Sequence, residues 1–256
     1  MRRIRVIPTL LLKDNGLVKT RCFKNEVYIG DPINAVKIFN EKEIDEIIIL
    51  DIDATIQSRG PDFAKIADIA GECFMPLCYG GGITTIEEIK KLFFIGIEKI
   101  SLNTSAVKNP QLISQASKLF GSQSVVISID VKKKNFDKYY VFINRGKTNT
   151  KKEAVAFAKE MEDRGAGEIL LTSIGREGTF TGYDWELIQK VSQVVNIPII
   201  ACGGAKDADD FVTAVKYGAS AVAAGSMFVF KGKLRGILIN FPSQNILSEK
   251  LYSVNQ

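Results

Sequence analysis

The 256-residue chain contains no histidine. That absence removes the commonest general base, the commonest zinc ligand and every Ser/His or Cys/His nucleophile pairing. Cysteine is sparse. Cys22, Cys73, Cys78 and Cys202 show no C-x-x-C spacing, and three of them lie in or beside apolar runs. They read as free thiols in a reducing cytosol, so a cytoplasmic location is expected. No apolar run approaches the roughly 18 residues of a membrane span, and no N-terminal segment joins an apolar stretch to a cleavage site, so neither membrane insertion nor export is expected. Charge of one sign is also scarce: the formal net charge is +5, and its densest run, Lys132–Lys134, reads as a solvated loop. Nucleic-acid binding is set aside on that ground. No motif calls for a metal or a cofactor.

What is present is ample core material, with 46% hydrophobic and 25% charged residues. The length suits one α/β barrel domain of about 250 residues. Strands are expected at 4–10, 46–51, 75–79, 99–103, 125–130, 168–172, 197–201 and 220–224, separated by amphipathic stretches. Helix starts are readable at Asp31-Pro32, at Thr84-Thr85 followed by Glu87 and Glu88, and at Asn109-Pro110. Eight strands alternating with helices predict an α/β fold, a closed parallel (β/α)8 TIM barrel.

The second half echoes the first. "PLCYGGGIT" from Pro76 matches "PIIACGGAK" from Pro198, and "GIEKISLNTS" from Gly96 matches "GASAVAAGSM" from Gly218. Both matches stand at one offset. A single domain over 1–256, built from half-barrels at about 1–120 and 121–245, accounts for the repeat; an open doubly wound sheet does not.

In such a barrel the working face lies at the C-terminal strand ends. Gly81 and Gly82, and their echo Gly203 and Gly204, fall there, each pair between a strand and a helix. Such turns let backbone N–H groups approach an anion. Asn103-Thr104 and Gly225-Ser226 close the following strands. Two equivalent anion sites imply a long ligand with a phosphate at each end.

These motifs, with "RVIP", "GDP", "DEIIILDI", "AVKNP", "FGSQ", "GAGEILLTS" and "GYD", resemble the cyclase subunit of imidazole glycerol phosphate synthase along nearly the whole chain. The resemblance implies a lyase-type enzyme subunit that uses ammonia from a class I glutaminase and binds a substrate with two phosphates. By motif, Gly82, Asn103 and Thr104 hold one phosphate and Gly178, Gly204, Gly225 and Ser226 the other. Lys19, Asp51 and Thr172 fall at further active-site positions. Of the family's two aspartates that act as acid and base, one matches Asp130 and the other matches Leu11. A leucine cannot carry a proton, so the two-carboxylate mechanism cannot run unchanged. Other departures are Gly175 and Glu177 in "GREG", Asp53 in place of threonine, and Tyr79, which is expected to crowd the Gly81–Gly82 turn. An anion should therefore settle beside Gly203, Gly204, Gly225 and Ser226 first.

Arg5, Glu46, Lys99 and Glu168 open four of the strands. Two cations and two anions at the barrel bottom can form a paired ring. By the resemblance they match the gate through which ammonia enters from the docked glutaminase. A retained inlet with an altered mouth implies a paralogue that serves another acceptor. That acceptor is a small phosphorylated or nucleotide-sugar compound, reached directly or through a third enzyme, as in surface-sugar (lipopolysaccharide) amidination. Two alternatives stand beside it. One is a genuine histidine-pathway cyclase in which Asp53, Asp14 or Glu177 replaces the missing aspartate. The other is a non-catalytic phosphate-binding scaffold.

Overall fold

The computed structural model describes residues 3–134, 138–232 and 234–253. Eight parallel strands close on themselves: Arg5–Lys13, Ile47–Asp51, Leu77–Gly80, Lys99–Leu102, Val125–Lys134, Glu168–Ser173, Ile199–Cys202 and Ala221–Ala224. Closure is made by the first strand, which pairs with the second through Thr9↔Ile48 and with the eighth through Arg5↔Ala221. Helices cross between successive strands and cover the outside, as parallel pairing demands.

Strand alternation divides the apolar residues into two sets. Ile7, Ile48, Cys78, Val126, Leu170, Ile200 and Ala221 fill the barrel interior. Val6, Leu10, Ile47, Ile49, Ile127 and Ile169 face the helices and join the larger core between barrel and shell. Tyr79 belongs to this outer set and is 2% exposed. It points away from the mouth, so the expected crowding of the Gly81–Gly82 turn does not occur.

The helix starts follow local chemistry. Asp31 accepts from Asn34 N ahead of Pro32, and Thr85 with Glu88 makes a reciprocal capping box. Asn109-Pro110 does not repeat the Asp31-Pro32 device. Asn109 ends the short helix Thr104–Lys108, and Gln111–Phe120 starts behind Pro110 without a side-chain cap.

Two hairpins absent from the sequence expectation stand on the mouth, one per half of the barrel. The first barrel strand runs on past Leu10 to Lys13 and turns into Gly16–Arg21 and Lys24–Gly30. The fifth runs on to Lys134 and pairs with Lys138–Ile143, which pairs with Thr148–Glu153. Their turns use left-handed backbone at Asp14, Asn144 and Arg145, with φ of 50, 54 and 56°. Asp and Asn tolerate that region, which is why they suit hairpin turns.

Candidate active site

Alternation from Arg5 places Ile7, Thr9 and Leu11 on the interior face, as the first strand's pattern predicts. Leu11 therefore opens into the mouth. Asp130 lies on the fifth strand, four places round an eight-strand ring, and so faces it from the opposite wall. Both line one cavity of about 1050 Å3, counting the space open to solvent. Lys19, Asp51, Gly82, Asn103, Thr104, Thr172, Glu177 and Gly225 line it too.

Burial pushes the Asp130 carboxyl up to about 7, and the negative charge of Glu177 adds to the rise; hydroxyls of Thr172 and Ser128 pull the other way. Asn103 Nδ2 donates to Asp130 Oδ2 at 3.3 Å and to the Ser128 carbonyl at 3.0 Å. Asp51 is already engaged. Its carboxylate takes both Arg59 amines, at 2.8 and 3.0 Å, and accepts from the backbone of Asp53 and Ala54. Lys19, carried by the first hairpin, pairs with Glu177 Oε1 at 3.0 Å, and both side chains are buried.

The two expected anion sites differ. Gly80, Gly81, Gly82, Asn103 and Thr104 border the open cavity, with Asn144 and Arg145 of the second hairpin above them. Thr104 Oγ1 accepts from Asn144 N at 3.4 Å. Of the second set, Gly225 alone borders it, and Lys19 packs over it. Gly178 lies against the Thr20 carbonyl and Gly204 against that of Gly182. The Ser226 hydroxyl is buried without a hydrogen-bond partner among the described residues. Tyr79 therefore gives no ground for the ordering expected from it, and the first site is the one that borders the open cavity.

Of the carboxylates considered as stand-ins for the missing aspartate, Asp14 sits exposed in the hairpin turn and Asp53 is paired with Arg145 and, at 3.8 Å, with Lys13. Glu177 is the one that lines the cavity. Residue reading missed Arg59, Arg145 and Phe23. The turn signals "KDNG" and "INRG" could have located the two hairpins that carry the last two.

At the opposite end the four charged strand openers form a closed ring. Arg5 contacts Glu46 and Glu168, and Lys99 Nζ lies 2.9 and 3.0 Å from the same two carboxylates. Burial pulls the Lys99 pKa down, but Glu168 and Glu46 outweigh it and the net shift is upward. Above the ring lies the apolar interior layer. Above that, Thr9 and Ser101 present buried hydroxyls without partners among the described residues, at the floor of the mouth.

A closed parallel barrel, with glycine turns and a carboxyl of raised pKa at its C-terminal mouth and a ring of paired charges at its bottom, is a (β/α)8 barrel. A family model described as histidine biosynthesis protein matches residues 5–235. The chain belongs to that family. It is 50% identical over 248 residues to a Pseudomonas aeruginosa protein provisionally named imidazole glycerol phosphate synthase subunit hisF2, covering 96% of this chain and 99% of that one. A Leptospira borgpetersenii protein, provisionally named subunit HisF of the same synthase, is 46% identical over 95% of this chain and 96% of its own. The Sulfolobus acidocaldarius imidazole glycerol phosphate synthase subunit HisF is 47% identical over 86% of this chain and 88% of its own.

Proposed function

We propose that this chain is the barrel subunit of a glutamine-dependent system. It takes ammonia from a class I glutaminase docked on the bottom face and delivers it to an acceptor at the top, and that acceptor belongs to a pathway other than histidine synthesis. One observation carries the reading: the bottom ring is complete while Leu11 occupies the wall opposite Asp130. A sealed ring of four charges, two of them on buried glutamates, is costly to keep where packing alone would serve. Exposed Phe74, Phe94 and Leu119 lie in or at the ends of the helix-to-strand segments on one side of that end and supply apolar contact area for a partner.

At the mouth, ammonia adds to an electrophilic carbon and a proton must leave the new nitrogen. Asp130 is the group placed to handle that proton, and its raised pKa suits transfer near neutral pH. Surface-sugar amidination, in which ammonia enters an amidine, is the acceptor chemistry we favour, through a third enzyme that activates the sugar. The test is ammonia-dependent turnover of the phosphoribosyl-formimino substrate of imidazole glycerol phosphate synthase. Turnover should be at least about a hundredfold below that of a two-aspartate barrel, the low end of one acid or base group's contribution.

A genuine cyclase is the second reading, and the observation that favours it is Glu177, a second carboxylate lining the cavity with Asp130. Robust turnover abolished by Glu177→Gln would select it.

A further inference from the structure

The first hairpin is held across the mouth by one residue of the opposite wall. The Glu177 carbonyl accepts from the Cys22 backbone N–H at 2.8 Å, and the Glu177 carboxylate takes the Lys19 ammonium at 3.0 Å. Cys22 Sγ adds a contact to the Gly175 carbonyl at 3.3 Å. These contacts sit beside a costly tip, since Cys22 and Phe23 adopt φ of 52 and 62°, a region side chains avoid. Lys19 is 2% exposed. An ammonium so removed from water needs a counter-charge, and Glu177 is its ion-pair partner among the described residues. Lys19 lies so close over Gly225 that a Cβ at that position would overlap its Nζ.

We infer that Glu177 is a positioning residue: it latches the lysine-bearing hairpin shut and sets the Lys19 ammonium over Gly225, in the cavity that Asp130 lines. An anionic group of an acceptor arriving beside Gly225 then meets a cation already in place. The latch goes beyond the reading of the chain as an ammonia-transferring barrel, and its structural test does not depend on that reading.

The test joins amide hydrogen exchange over residues 16–24 to carboxyl carbon NMR of Asp130, assigned with Asp130→Asn. Glu177→Gln keeps the shape and removes the charge. Hairpin exchange should quicken about tenfold or more, the low end of a hydrogen bond between charged groups. The Asp130 midpoint should fall, because a like charge is gone. Around Asp130 the coupled titratable groups are Glu177 and Cys202, with Lys19 acting on Cys202 and paired to Glu177; Asn103, Ser128 and Thr172 are neutral. The reversed pair Lys19→Glu with Glu177→Lys should regain the hairpin protection that either single change loses. Unchanged exchange in Glu177→Gln, or no rescue in the reversed pair, overturns the inference. So does loss of ammonia-dependent activity with protection intact, which would place Glu177 on the reacting atoms. Absence of any ammonia use by the parent protein counts against the proposed function and leaves the latch standing.

Discussion

At the scale of single residues, Leu11 and Asp130 decide what the mouth can do. Under the proposed function, Leu11→Asp should raise cyclase turnover, read as ammonia-dependent product formation, because it places a proton carrier on the wall facing Asp130. The gain stays partial because Gly175 and Glu177 also differ from the family pattern. Asp130 makes a separate prediction. Its carboxyl, about 7 when folded, exceeds the ordinary 3.8 of an unfolded chain. Between those values the folded state holds a proton that the unfolded state releases, so this group's contribution to stability falls as pH rises and is fully unfavourable above 7. Asp130→Asn should therefore stabilise the protein by about 1–3 kcal/mol at pH 8, discounted because the residue is only partly buried. The gain should shrink toward pH 5. Thermal melts at the two pH values check it. A functional group kept at a cost to stability is a common pattern in active sites.

At the scale of elements, the eight strands and the interior face of the first were legible because alternation is a local property. Arg5, Ile7, Thr9 and Leu11 lie where period two puts them. The hairpins were not legible as strands: Lys24–Gly30 leaves Val27 and Tyr28 exposed, and Thr148–Glu153 carries two lysines, so neither buries a continuous apolar face. Tyr79 was misread because its neighbour in sequence, Gly80, borders the mouth while its own side chain takes the opposite face. The site residues on strand ends were readable, whereas Arg59 and Arg145 reach the mouth from loops whose path only tertiary structure shows. Two expectations belong here. Lys99→Met should destabilise by about 3–5 kcal/mol in urea unfolding, since Glu46 and Glu168 would be left with Arg5 alone. Phosphate titrated into the protein should shift the Asn103 and Thr104 amides before those of Gly203 and Gly204, because the first site borders the open cavity.

At the scale of the whole molecule, the two ends of the barrel differ: a ring of four paired charges under an apolar layer closes the bottom, and at the mouth Leu11 stands on the wall facing Asp130. The ring predicts a heterodimer. Co-purification from the native cell should bring down a glutaminase, and Phe94→Asp on the bottom face should release it while leaving the barrel folded. The most direct measurement of the central claim is ammonia-dependent turnover of the phosphoribosyl-formimino substrate by the purified chain, beside a family member with both aspartates. The rate expected is at least about a hundredfold lower, raised in part by Leu11→Asp. A rate equal to that of the intact family member would contradict it.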